Sequence, residues 1–259
     1  MKRSLFAVPC LALGASCGGG GHGGSSADQA PGDGGTISQD LDGIQVFPAD
    51  NPWNQDISQA PIDPLSDRYL ASIGRDVGLH PDFGSFTGYG IPYAVVSASQ
   101  PAVPITFDYA DESDPGPYPI PDDVPIEGGA DADGDRHVLV VDRDNLLLYE
   151  VFAAYPVVGG WHGGSGAIFN LMSNELRPAG FTSADAAGLP ILPGLVRADE
   201  VLDRHEIGHA LRFTVARMQR GYVSRLVLHP RTATCRCHPW GCGCGSGPTM
   251  ISSFPTIAR

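Results

Sequence analysis

Along the middle of this chain, apolar and polar residues alternate in short runs interrupted by Pro and Gly. A period of two marks strands with one buried face. Such runs fall at 92–97, 103–109, 137–142, 146–152, 167–171, 209–215 and 222–228. The clearest pair predicts a hairpin: the apolar run Val138, Leu139, Val140 and Val141, a turn over Arg143, Asp144 and Asn145, then a return from Leu146 to Val151. Helical spacing is scarce. Residues 67–76 and 198–206 suit two or three turns each, and Ser183 or Asp185 could cap a third short helix. The expected fold is mainly β, an antiparallel sandwich or barrel with long loops and few short helices, occupying one domain over 44–230.

Composition agrees with that pattern. With 34 Gly and 23 Pro in 259 residues, turn formers are too frequent for a helical bundle. At 42% hydrophobic and 17% charged, the chain can build a core. The formal charge of −13 repels phosphate backbones, so nucleic acid is not an expected partner. The charge is also uneven: no Asp or Glu follows Glu206, while seven Arg do.

The N-terminus predicts an address. Lys2 and Arg3 precede an apolar run at 5–13, too short to span a bilayer, and small residues then lead to Cys17. Residues 1–16 read as a signal peptide, and Leu13-Gly14-Ala15-Ser16-Cys17 resembles the lipobox of bacterial lipoproteins, with Gly14 where a Leu is usual. That resemblance implies lipidation at Cys17 and a membrane anchor; an ordinary secretory signal is the alternative, and either exports the chain. Residues 17–43 read as the anchor followed by a Gly- and Ser-rich tether.

Four runs carry a second resemblance. Phe47-Pro48-Ala49-Asp50-Asn51-Pro52-Trp53-Asn54, His80-Pro81-Asp82-Phe83-Gly84, Asp111-Glu112-Ser113-Asp114-Pro115-Gly116-Pro117-Tyr118 and Ser183-Ala184-Asp185-Ala186-Ala187-Gly188-Leu189-Pro190 are similar to a family of exported bacterial proteins without an assigned activity. The resemblance covers about 45–225. It implies a single exported domain and no particular reaction.

Three constellations offer chemistry. His205-Glu206-Ile207-Gly208-His209 matches the H-E-x-x-H zinc signature, in which a helix presents both His to the metal and Glu activates water. The alternation of Leu211, Phe213 and Val215 predicts strand directly afterwards, and no acidic third ligand follows. Asp131, Asp133 and Asp135 have calcium-loop spacing, but Arg136 stands where that loop needs Gly. No cofactor is therefore expected, with zinc and calcium as the alternatives. The third constellation is carboxylates interspersed with aromatics: Glu127, Asp142, Glu150 and Asp185 with Trp53, Tyr118, Tyr149 and Trp161 are residue types a glycan-cleaving or glycan-binding groove uses. The chosen catalytic candidates are Glu206, His209 and Asp185, and the chosen ligand-binding candidates are His80, Asp82, Trp161 and Glu127. The expectation is a carbohydrate-active or glycan-binding surface protein whose partner is a polysaccharide or another envelope component. The alternatives are a non-catalytic structural protein of the envelope and, third, a zinc peptidase.

Residues 231–259 read as aberrant. They hold Cys235, Cys237, Cys242 and Cys244, although no cysteine lies between Cys17 and Cys235. Two disulfides or a metal cluster are the conventional readings. A frameshift fits better. The use of 15 Arg against one Lys suggests GC-rich codons, and back-translation of 238–250 shifted by two nucleotides reads P-M-G-L-R-V-R-L-R-A-D-Y-D, a strand alternation with acids restored. Such a shift would begin between about 224 and 232. Resequencing the locus tests it, and an unchanged frame overturns it.

Overall fold

The computed structural model describes residues 41–78, 90–214 and 250–251. Its centre is a four-stranded sheet. The apolar run of the expected hairpin forms β3 (Val138–Asp142), buried along its whole length. It pairs antiparallel with β4 (Leu147–Phe152), and β4 pairs antiparallel with β7 (Ser165–Asn170). On the other side of β3 lies β1 (Tyr93–Val96), which runs parallel to it. Burial on both faces explains why β3 is continuously apolar rather than alternating.

A second sheet has three strands: β2 (Ile105–Phe107), β6 (Gly160–Gly163) and β5 (Tyr155–Val157), in that order. Here β2 and β6 are parallel, and β5 and β6 form a hairpin closed by Val158 and Gly159, the glycine at φ +82°. The fold is mainly β, as the alternation implies, but both sheets are mixed and neither closes into a barrel. Most strand pairs are antiparallel, as expected; the two parallel pairs, β1 with β3 and β2 with β6, arise because the long segments 97–137 and 108–159 carry the chain back to the same end of the sheet, a choice periodicity does not encode.

Two hydrophobic clusters flank the central sheet. Leu139, Val141, Leu148 and Phe169 meet Leu41, Val46, Phe47, Trp53 and the 191–195 segment on one face. Val138, Val140 and Val151 meet Tyr118, Ile120 and the inward side of the second sheet, including Trp161 and Ile105, on the other. Leu41 is only 4% exposed, so packing begins within the segment expected to be tether.

Local chemistry explains most boundaries. The Asp142 carboxylate accepts the N–H groups of Asp144 and Asn145 and the Asn145 side chain, which closes the β3–β4 turn. Helix α1 (Ser66–Ile73) stops three residues before the expected end because Gly74, at φ +99°, donates its N–H to Leu70. The second expected helix is a short π-helical turn, Glu200–Arg204, ended by His205 in the left-handed region. No helix follows Ser183; its hydroxyl instead accepts the Asp185 N–H and faces the Leu189 carbonyl, forming a tight turn. Within 209–214, the described part of the expected 209–215 strand, the strand is β8 (Phe213–Thr214), paired with β9 (Met250–Ile251). The 222–228 strand lies outside the described residues.

The runs that carry the family resemblance are largely occupied by the fold itself. Asn54 Nδ2 donates to the carbonyls of Val46, Phe47 and Pro48, tying its own loop shut. Asp114 accepts the Ile168 N–H and pairs with Arg177, while Glu112 accepts the Thr182 N–H.

Candidate functional site

Polar side chains gather in three places, and burial separates them. The first lies under the central sheet. Glu150 occupies the middle of β4, opposite Leu139 and Ala167, on the face that packs against the first cluster. It is fully buried, and its carboxylate accepts the N–H groups of Ile191 and Leu192 at 2.9 Å, capping the turn Leu192–Gly194. Burial pushes its pKa up to about 7, against the two backbone donors and the nearby Arg212 charge.

His137 belongs to the same region. Its Nδ1 lies 2.6 Å from Glu127, and its Nε2 donates to the Ala184 carbonyl. Burial alone would push the imidazole down, but its hydrogen bond to Glu127 and that carboxylate's charge outweigh burial and raise it. Glu127 shows the mirror image: burial would raise it, and His137 holds it below the ordinary value. Each partner thus favours the charged form of the other. His137 has a side-chain exposure of 4% and Glu127 of 24%, so only the carboxylate edge reaches water.

The second cluster surrounds Glu200, which is 1% exposed. It accepts from Arg197 at 2.7 Å and lies 3.1 Å from His209 Nε2, with Arg204 at 3.4 Å. The zinc reading needs His205 and His209 on one helical face. Instead His205 ends the π-helical turn at φ +53°, its Nδ1 2.9 Å from the Val201 carbonyl. His209 is committed to Glu200, and Glu206 is exposed. The 205–209 run is not helical, so the geometry that gives H-E-x-x-H its meaning is missing.

The third place is the outward face of the three-stranded sheet. The register sets Thr106, His162 and Tyr155 side by side across β2, β6 and β5. His162 Nε2 lies 3.2 Å from Asp108, and its Nδ1 lies 3.0 Å from the Thr106 hydroxyl. A carboxylate only accepts, so Nε2 carries the proton there; in the neutral ring Nδ1 then accepts from Thr106. Tyr155 is 44% exposed and rests on the Arg136 guanidinium, whose carbon lies 4.3 Å from the ring centroid. One ring face is thus supported from below. Beside this row, Gly160 packs so closely that a Cβ would meet the Pro104 carbonyl oxygen at 2.2 Å.

The remaining sequence candidates scatter. Asp185 is buried in the turn after Ser183, its neighbour Ala184 touching His137. Trp161 is 7% exposed and points into the second cluster, because it alternates with outward-facing His162 in β6; its ring cannot stack on a ligand from there. Glu127 is held by His137. Asp131, Asp133 and Asp135 do not wrap a cation site, since Arg136 Nη1 takes the carbonyls of Ala130 and Ala132 at 2.8 and 2.9 Å. His80, Asp82 and Cys17 lie outside the described residues, as does the cysteine tail.

Among the described residues, no three His, Cys, Asp or Glu side chains converge as a metal site. No helix there is long and apolar enough to cross a membrane. A cavity of about 30 Å³ beside Phe47, Trp53 and Leu189 has room for water and none for a sugar ring. Sequence reasoning missed His137, because it heads an apolar strand, and passed over Tyr155 because Pro156 hid its strand. The usable signal was the outward register of Thr106 and Asp108, two residues apart in an expected strand. No known family model, curated protein or solved structure matches this chain.

Proposed function

We propose that this chain is an exported, lipid-anchored protein that binds glycan, without cleaving it, on the outward face of its three-stranded sheet. The observation that carries this reading is the row Thr106, His162 and Tyr155: an exposed ring backed by a guanidinium, next to hydroxyl, imidazole and carboxylate groups already oriented by one another. Sugar recognition uses that combination, a flat apolar face for the C–H side of the ring and fixed polar groups for its hydroxyls. Binding is favoured over cleavage because Glu150, whose raised pKa would suit a general acid, is sealed beneath the sheet. Export and anchoring rest on the Lys2–Cys17 segment.

Titration of the purified chain with a panel of neutral, amino and acidic polysaccharides tests the reading. At least one should bind, and Tyr155→Ala should weaken it by tenfold or more, about 1.4 kcal/mol, with the thermal unfolding midpoint kept. Binding that ignores Tyr155 and His162 overturns the assignment of the face. Radiolabelled fatty acid should enter the wild type and not Cys17→Ala.

A further inference from the structure

The ring of His162 is met at both nitrogens by side chains from one neighbouring stretch of backbone. Alternation puts Thr106 and Asp108 on the same outward face, and the parallel register sets His162 level with Thr106. Asp108 directly follows β2, and its N–H donates to the Gly163 carbonyl at 3.0 Å, which keeps it in step with β6. Thr106 Oγ1 thus lies 3.0 Å from Nδ1, and Asp108 lies 3.2 Å from Nε2. With the proton of the neutral ring held on Nε2 by the carboxylate, the Nδ1 lone pair faces the hydroxyl. A hydroxyl that donates to an imidazole, itself oriented by a carboxylate, is the arrangement that activates an oxygen nucleophile. We infer that Thr106 is the nucleophile of an acyl-transfer site that removes O-acyl substituents from the glycan held on this face, a step that rests on the glycan-binding reading for its substrate. The sugar chain itself stays intact.

The chemistry balances without another reactant than water. Thr106 Oγ1 attacks the ester carbonyl carbon as its proton passes to His162 Nδ1, and Asp108 offsets the charge of the imidazolium through the Nε2–H. The bond from the acyl carbon to the sugar oxygen breaks, and that oxygen takes the proton from Nδ1. Water then attacks the acyl-Thr106 ester by the same route, giving its proton to Nδ1, and Oγ1 recovers a proton as its bond to the acyl carbon breaks. One ester and one water become a carboxylic acid and a free sugar hydroxyl. Access suits both halves. The residues two before and two after His162 are Gly160 and Gly164, neither of which has a side chain to cover the ring. With 39% of the His162 side chain exposed, water reaches the acyl ester. Tyr155, level with His162 on β5, supplies the flat surface that holds a sugar beside the hydroxyl.

Acetate release from O-acetylated xylan and O-acetylated pectin, and hydrolysis of p-nitrophenyl acetate, by the full chain test the inference, with binding of both polymers measured before and after alkaline deacetylation. A positioned base should raise the rate about 10²–10⁴-fold over buffer, and the rate should climb between about pH 5 and 8, where imidazoles lose their proton. Thr106→Val, which keeps the β-branched shape, should abolish turnover, and Thr106→Ser should retain it, both with the thermal unfolding midpoint kept. Mass spectrometry after an acid quench should find the acetyl group on Thr106. Asp108 acts through His162 as a positioning residue, so Asp108→Asn should lower kcat for p-nitrophenyl acetate and leave KM unchanged. Polymer binding without acetate release above buffer, or turnover that survives Thr106→Val, overturns the acyl-transfer inference and leaves glycan binding standing. Thr106-dependent hydrolysis of the small ester, with neither polymer bound in either form, overturns the glycan as acyl donor. Neither binding nor acetate release overturns both readings.

Discussion

His137, just before β3, and His162, within β6, are each paired with a carboxylate, yet they work in opposite settings. His137 meets Glu127 at 2.6 Å with 4% of its side chain exposed, while His162 meets Asp108 at 3.2 Å with 39% exposed. In the first pair, low polarity amplifies the attraction and binds the charges to the integrity of the fold. In the second, water screens the attraction, so the pair adds little stability and its edges stay open to a ligand. The same residue types thus become framework on one face of the molecule and solvent-exposed surface on another, and accessibility decides which.

The sharpest way to break this contrast is at Glu150. Glu150→Ala removes the acceptor for the Ile191 and Leu192 N–H groups and the carboxylate that faces Arg212. Leaving two buried N–H groups without an acceptor is expected to cost about 3–5 kcal/mol at mildly acidic pH, where the carboxyl does not bear the cost of its charge, read from denaturant unfolding. A loss under about 1 kcal/mol would mean the buried region is not framework.

Next comes pH. Glu150 has its folded pKa raised from 4.5 to about 7, so its contribution is largest below pH 4.5 and is lost as pH rises to about 7, a span of about 3 kcal/mol. Glu127 is lowered, so its contribution is present above 4.5 and is lost on acidification. His137 is raised, so its contribution is present below 6.5 and is lost as pH rises past that value. Together these three groups favour mildly acidic pH near 4.5–5. Glu150→Gln should flatten the fall between pH 4.5 and 6.5 and keep the part above it; denaturant midpoints at several pH values check this.

Gly160→Ala carries the comparison into the second sheet. The new Cβ would meet the Pro104 carbonyl at 2.2 Å, and backbone cannot swing aside as a side chain can. A loss of about 1–3 kcal/mol, together with weaker glycan binding through the displaced β2–β6 pairing, is expected. Wild-type stability would show that this sheet tolerates separation.

The smallest effect belongs to the exposed pair. His162→Ala should change stability by under about 1 kcal/mol yet cut glycan affinity severalfold. A stability loss as large as that at Glu150 would erase the distinction between the two histidines.

How far the sequence reached differs along the chain. The apolar pattern located β1 to β4 and β7 to within about two residues: β3, buried on both faces, shows as an unbroken apolar run, and the others as short runs of β-branched and aromatic residues bounded by turn formers. It missed β5 and β6, where Pro156, Gly160 and Gly163 leave too few apolar positions to register, and where pairing with neighbours supplies what the pattern lacks. Among the candidates, Glu127 and Glu150 stood out as carboxylates beside aromatics. Nothing local revealed that Glu150 would be sealed, since its partners Ile191 and Leu192 lie about forty residues away.

By itself, then, the sequence determined the mainly β class and the β3–β4 hairpin with its turn over Arg143–Asn145, because short-range sterics and periodicity act between neighbours; the helix stop at Gly74 and the Asp142 carboxylate that closes the turn were seen only in the structure. Only the tertiary structure decided that β1 and β2 run parallel to distant strands, that Trp161 faces inward and His162 outward, and that one histidine–carboxylate pair is framework while the other lies open. Those outcomes depend on which distant surfaces exclude water from which side chains, and that is a property of the packed chain as a whole.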